Sequence, residues 1–267
     1  MDIKTVTLVY FSPTGTTKKV LEGIVGTINA QVVRTYDLTK PESETCVFEE
    51  IDEGLVILGA PVYGGRIPIE AESRFRRVKG KGVPAVVVVV YGNREYDDAL
   101  IEMRELAKEQ GFKPIAAAAF IGEHSYSTEK SPLSAGRPDA YDINIARDMG
   151  KQLARKVAAA VKADTMREVA VPGNLPLKER HEMKRIPPVT DKAVCTKCGA
   201  CAGSCPTGAI TVADTVETKA ELCILCSACV KICPVSARTL STPQVEKARA
   251  WLSETCKEPK SPVIFMD

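Results

Sequence analysis

Apolar positions in the first part of the chain come in five short runs: Thr5 to Phe11, Gln31 to Tyr36, Leu55 to Ala60, Ala85 to Tyr91 and Ile115 to Ile121. Stretches of helical periodicity separate them, and that alternation predicts a parallel sheet covered on both faces. The third and fourth runs, LVILGA and AVVVVVY, are continuous, as strands buried on both sides must be. Helices are expected over Thr16 to Ile28, with Val20, Leu21, Ile24, Val25 and Ile28 on one face, and over Asp97 to Gln110, with Leu100, Met103, Leu106 and Ala107. A last one is expected over Tyr141 to Lys162, carrying Ile145, Met149, Leu153, Val157 and Val161. Gly26 falls inside the first helix and weakens it slightly. The expectation is a five-stranded, doubly wound α/β domain over residues 1–163.

The pattern then breaks. Residues 164–188 contain Pro172-Gly173, Pro176, Pro187-Pro188 and a charged run from Lys178 to Arg185, which reads as a linker stiffened by proline and not helical. Beyond it, over residues 189–242, eight of the ten cysteines fall into two copies of one spacing. The copies are Cys195-x2-Cys198-x2-Cys201-x3-Cys205-Pro206 and Cys223-x2-Cys226-x2-Cys229-x3-Cys233-Pro234, offset by 28 residues (223 minus 195). Three closely spaced thiolates can wrap one face of an iron-sulfur cube, and the fourth, stopped by proline, points to a partner cube. Crossed ligation of two 4Fe-4S clusters is therefore predicted, by Cys195, Cys198, Cys201 and Cys233 for one and Cys223, Cys226, Cys229 and Cys205 for the other. Structural zinc takes ligands in two pairs, and disulfides suit secreted miniproteins, whereas no signal peptide precedes the first strand. Residues 243–267 predict a helix from Pro243 to Cys256, packing Trp251 and Leu252 on the body, and a tail either docked or frayed. Cys46 is expected to be an ordinary semi-buried thiol, and Cys256 no ligand.

Charge adds exclusions. The 267 residues carry 36 basic and 34 acidic side chains, divided 22 against 22 up to Ala163 and 14 against 12 beyond it. That balance leaves no nucleic-acid footprint. The longest apolar run, Pro84 to Tyr91, is too short to span a bilayer, so a soluble protein with no membrane partner is expected. Reduced thiols with oxygen-labile clusters point to the cytoplasm of an anaerobic or microaerobic cell.

Directly after the first strand, Ser12-Pro13-Thr14-Gly15-Thr16-Thr17 opens a helix. Hydroxyls, one glycine and the amides of a helix start make a site for a phosphate monoester without any basic residue, at the strand ends where doubly wound sheets bind ligands. Two more loops reach that edge: Pro61-Val62-Tyr63-Gly64-Gly65-Arg66 and Tyr91-Gly92-Asn93-Arg94-Glu95-Tyr96-Asp97. Each offers an aromatic plane and glycines, and with the phosphate loop they describe a clamp for FMN. A nicotinamide site has only Gly80-Lys81-Gly82-Val83-Pro84-Ala85 behind it, which precedes a strand instead of following one.

Ser-x-Thr-Gly-x-Thr after the first strand resembles the flavodoxin phosphate loop, and the cysteine repeat resembles a bacterial two-cluster ferredoxin. Together with APVYGGRIP and YGNREYDDAL, the chain resembles the fused flavodoxin/ferredoxin proteins of the EFR family over nearly its whole length. The resemblance implies a flavodoxin-like parallel sheet of order 2-1-3-4-5, a small ferredoxin-like α+β domain and noncovalent FMN. It implies phosphate contacts from Ser12, Thr14, Gly15, Thr16 and Thr17, and a flavin ring bordered by Pro61, Val62, Tyr63, Gly64, Tyr91, Gly92, Asn93, Tyr96 and Asp97. Flavodoxins are typically strongly acidic, and this first domain departs from them in being charge-balanced. A flavin handling two electrons beside clusters handling one each makes a converter between redox partner proteins and two-electron chemistry. In the polar segment after the fifth strand, His124 and Tyr126 are expected to flank the flavin and donate a proton to a small acceptor, which would make the chain an oxidoreductase. The competing expectation is a pure electron carrier with no substrate.

Overall fold

The structure, a computed structural model, describes residues 3–160, 165–180 and 185–266. The first unit runs β1 (Thr5–Tyr10), α1 (Thr16–Val25), β2 (Val32–Asp37), β3 (Leu55–Pro61), α2 (Ile69–Phe75), β4 (Pro84–Tyr91), α3 (Ala99–Glu109), β5 (Lys113–Ile121) and α4 (Ala140–Ala159). There follow β6 (Val189–Thr190), α5 (Ala200–Ser204), β7 (Ile210–Val212), β8 (Val216–Thr218), α6 (Ala228–Lys231), β9 (Arg238–Thr239), α7 (Pro243–Thr255) and β10 (Val263–Phe265).

The five expected strands pair in parallel in the order β2-β1-β3-β4-β5, and their apolar side chains feed two cores, one on each face. Phe11, Phe75, Leu100 and Met103 fill one, under α2 and α3. Leu21, Ile24, Met149 and Leu153 fill the other, under α1 and α4. A sixth strand was not expected. β10 lies antiparallel on the outer edge of β5, pairing Val263, Ile264 and Phe265 with Ala119, Ala118 and Ala117, so the tail docks and covers an edge that would otherwise offer unpaired backbone groups.

Three local expectations change. Helix α1 stops at Val25, with Gly26 as its C-cap and not an interior residue, while Ile28 still packs into the core from beyond the helix end. Helix α2 had no strong sequence signal, because its buried side is only Ala71, Arg74 and Phe75. Cys46 is exposed, since it lies in the irregular stretch before β3. Helix α4 ends its described course at Ala159, so Val161 and Lys162 of the expected helix lie outside the described residues, as do residues 181–184 of the charged run.

The proline-rich stretch is a strap laid on the first unit. Val169 is buried, and its amide donates to Pro114 O at 2.9 Å. The carboxylate of buried Asp98 accepts from the Asn174 amide N–H (2.9 Å), Asn174 Nδ2 (3.0 Å) and the Lys178 amide N–H (2.7 Å). Arg180 donates to Glu102 and Glu72, and Arg66 closes the network onto Glu102 and Lys178 O. Prolines prevent regular structure here, so the strap's polar groups must find partners on the surface beneath.

The cluster unit is two short antiparallel ribbons, β6 with β9 and β7 with β8, around α5 and α6. Its interior is small: Cys201, Cys205 and Cys229 supply much of it beside Ala209 and Ile210. Among the described residues no helix is long and apolar enough to cross a membrane.

Candidate cofactor sites

The repeat in the sequence is a repeat in the backbone. Lys197 and Leu225 (φ 55° each), Gly199 and Ser227 (80° and 60°), and Gly208 and Ser236 (63° and 52°) are left-handed at equivalent places. Such turns aim successive N–H groups into a concavity that suits an anion. In each copy the fourth cysteine accepts from the amide four residues on, Ala209 N to Cys205 Sγ at 3.3 Å and Ala237 N to Cys233 Sγ at 3.2 Å. The eight thiols gather in two sets of four. Cys195, Cys198, Cys201 and Cys233 line one small pocket, and Cys205, Cys223, Cys226 and Cys229 line another. Each set thus takes three cysteines from one copy and one from the other. Among the described residues no three side chains converge as ligands of a single ion. Instead, four sulfurs wall a cavity, the donor arrangement a cube requires. Burial pushes the Cys226 thiol up to about 12, and Cys201, Cys223 and Cys229 also upward.

At the carboxyl ends of β1, β3 and β4 a cleft of about 290 Å³ opens. Thr14 and Thr16 line it from the first loop, Pro61, Val62, Tyr63 and Gly64 from the second, and Val90, Tyr91, Gly92 and Arg94 from the third. Gly122, Glu123, His124, Ser125 and Tyr126 form one wall. Ile224 and Leu225 of the second cysteine motif form another, with Ala248, Trp251 and Leu252 of α7. In the first loop Gly15 is left-handed (φ 81°) with open space beside it, a turn that strains any other residue. Ser12 Oγ accepts from the Lys18 amide at 3.1 Å, and the first turn of α1 holds no acidic residue. Loop and helix start therefore present hydroxyls and amides with no negative charge.

Three buried side-chain polar atoms lack a partner among the described residues: Thr17 Oγ1, Ser227 Oγ and Arg238 Nε. Thr17 stands on the first turn of α1, while Ser227 and Arg238 line the two cysteine pockets. Buried polar atoms normally find partners, so their grouping fits ligands at these places. The donors suit FMN phosphate and iron-sulfur cubes.

Not every expected ring neighbour reaches the cleft. Asn93 is buried and spends its amide elsewhere: Nδ2 donates to Cys256 O (3.0 Å) and Glu258 O (2.9 Å), and Oδ1 accepts from Lys260 N (2.8 Å). Asp97 is drawn to Lys178 (2.7 Å) and Arg94 (2.5 Å). Tyr96 packs edge-on against Tyr91 with ring centroids 5.4 Å apart and lines a separate pocket with Asp97, Asp98 and Lys178. Asn93 thus takes its partners from residues 256–260, and Asp97 one of its own from the strap. Residues from 224 to 252 were missed as lining because only the tertiary fold brings them over the strand ends.

His124 and Tyr126 do face the cleft. His124 Nδ1 accepts from the Tyr126 amide at 3.0 Å, which leaves Nε2 as the donor, and the two rings meet edge-on at 5.1 Å. Burial, then the cations Lys231, Arg94 and Arg249, push the imidazole down to about 4, so it is neutral at ordinary pH. Tyr63 is raised well above its ordinary value by burial and by neighbouring Cys226, and stays a neutral phenol.

The two units are joined across this cleft. Arg74, fully buried beneath Phe11, donates to Leu38 O, Thr39 O, Glu44 and, at 2.8 Å, to Pro206 O behind Cys205. Lys231 pairs with Glu123 at 2.5 Å, and Arg249 of α7 donates to Tyr126 O at 2.8 Å.

A family model for a flavodoxin domain matches residues 7–128, and one for a 4Fe-4S dicluster domain matches residues 194–237. Flavodoxin 1 from Bacillus cereus aligns at 14% identity and a TM-score of 0.36, over 57% of this chain and 97% of its own. Rubredoxin oxygen:oxidoreductase from Desulfovibrio gigas aligns at 15% and 0.39, over 59% and 37%. A stretch of 136 residues, 49% of the chain, is 31% identical to a glutamyl-tRNA(Gln) amidotransferase polypeptide from Desulfatibacillum aliphaticivorans, of which it spans 22%. Matched in both units and wound in the expected strand order, the chain carries a flavodoxin domain followed by a 4Fe-4S dicluster domain.

Proposed function

We propose that this chain passes electrons within itself between FMN in the cleft and two 4Fe-4S clusters, one held by Cys195, Cys198, Cys201 and Cys233 and one by Cys205, Cys223, Cys226 and Cys229. Residues 1–163 then form the flavin unit, 189–242 the cluster unit, and 164–188 the strap between them. One observation carries the reading: Ile224 lines both the cleft and the pocket of Cys205, Cys223, Cys226 and Cys229. Ile224 thus stands between the two proposed cofactor positions. FMN supplies two-electron chemistry and the clusters one-electron steps, while the protein's part is to hold them close and keep their surroundings dry. In this reading Thr14, Gly15, Thr16 and Thr17 would contact the phosphate, and Tyr63 and Tyr91 the ring.

Two versions share this wiring. In the first, the chain is an oxidoreductase reducing a small acceptor, a reading supported by His124, Tyr126 and Arg94 on the cleft wall. There His124 Nε2–H, on a neutral imidazole, orients the acceptor as a hydrogen-bond donor. In the second it is a carrier serving other redox proteins, supported by a cleft at the lower edge of small-molecule pocket sizes, with room for little beyond the flavin. Oxygen-free purification should give about eight irons and one FMN per chain. After rapid partial reduction, the flavin and cluster bands should then exchange electrons at a rate independent of protein concentration, whereas a rate that rises with protein concentration would sink the proposal. Turnover of an acceptor that His124→Gln abolishes, with flavin reduction intact, selects the first version; equal turnover removes His124 from it.

A further inference from the structure

Arg238 on β9 is 3% exposed. Its guanidinium donates to Thr190 Oγ1 (2.7 Å), Thr218 Oγ1 (2.9 Å) and Cys229 Sγ (3.5 Å), and its Nε has no partner. The other two buried arginines have carboxylates: Arg74 pairs with Glu44 and Arg249 with Glu246. Arg238 has none among the described residues. A guanidinium stays charged under all ordinary conditions, and hydroxyls alone do not offset its removal from water. Some negative charge must face it.

The geometry supplies two candidates. Arg238 lines the pocket of Cys195, Cys198, Cys201 and Cys233, and it donates to Cys229 of the other set. Each set of four thiolates around a cube carries net negative charge, which grows by one when the cube is reduced. A fixed cation nearby favours the reduced form, and hydrogen bonds to cluster sulfur act in the same direction. We propose that Arg238 is the shared counter-cation of both iron-sulfur sites and raises their reduction potentials, most strongly at the Cys229 site beside the flavin cleft. This rests on the two-cluster reading above. Arg238 thereby helps make the cluster next to the flavin the easier of the two to reduce.

The test uses anaerobically purified holoprotein as wild type, Arg238→Gln and Arg238→Lys, with iron counting and redox titration followed by electron paramagnetic resonance. Arg238→Gln with full iron should bind its electrons about tenfold less favourably at the Cys229 site, a negative shift of about 59 mV for a one-electron couple. The other site should shift less, and Arg238→Lys, which keeps the charge, should lie closer to wild type. Iron lost in Arg238→Gln but retained in Arg238→Lys also supports a counter-charge. Full iron with unchanged potentials in Arg238→Gln overturns the proposal, as does iron loss in both variants, which would make the role one of shape alone. A wild type with fewer than two clusters fails the earlier reading and takes this one with it.

Discussion

Gly92 and His124 compete for one volume. A methyl group on Gly92 would sit 2.3 Å from imidazole Cδ2, so Gly92→Ala must push the ring off the cleft wall. FMN affinity of the deflavinated variant should fall about tenfold, or roughly 1.4 kcal/mol, in a fluorescence titration. Unchanged affinity would place the ring away from this wall. His124 itself carries a pH signature. An ordinary imidazole takes its proton near 6.5, while this one resists down to about 4. Between those values the unfolded chain binds a proton that the folded chain refuses, so stability is complete above about 6.5 and declines as acid is added through the window. Wild type should lose about 2 kcal/mol more than His124→Gln between pH 7 and pH 4 in matched thermal unfolding; parallel curves would refute the burial argument. The turn at Gly15 that opens α1 was legible in sequence because the residues of its loop are consecutive. The contacts of Asn93 were not, because its partners are distant: the backbone of Cys256, Glu258 and Lys260, more than 160 positions away.

At the scale of elements, the strap is the part that composition alone misrepresents. Proline content showed correctly that residues 165–180 form no long helix, but said nothing of what their amides would find. Asp98 is the anchor: burial pushes its carboxyl up, yet the N–H groups of Lys178 and Asn174 more than offset this and leave it lowered. Asp98→Asn weakens three hydrogen bonds to a charged acceptor and should cost about 1–3 kcal/mol. Hydrogen exchange over residues 165–180 should then quicken while β4 stays protected, and equal protection of the strap would show that Val169 and Arg180 suffice. The five parallel strands were readable because each is a run buried on both faces. α2 was not, since a seven-residue helix whose buried side includes Arg74 leaves too little periodic signal.

For the molecule as a whole, the cysteine spacing foretold the crossed grouping, but not where it would sit. Contact between the units combines apolar packing, of Ile224 on the core under α2 and α3 and of Tyr126 on Leu225, Leu240 and Val245, with long-range hydrogen bonds, of which the one from Arg74 to Pro206 O is the most enclosed. Arg74→Ala would strand the carbonyls of Leu38, Thr39 and Pro206. Iron and FMN content should be retained while flavin-cluster electron exchange, followed by stopped flow, slows about tenfold as the distance opens. An unaltered rate would mean that Lys231, Arg249 and the tail hold the interface without it. The tail has a further consequence in time. β10 is made after every cysteine of the repeat, yet it completes the flank of β5 in the first unit. During synthesis the outer edge of β5 therefore stays unpaired until the whole cysteine repeat has been made, and β10 covers it only afterwards.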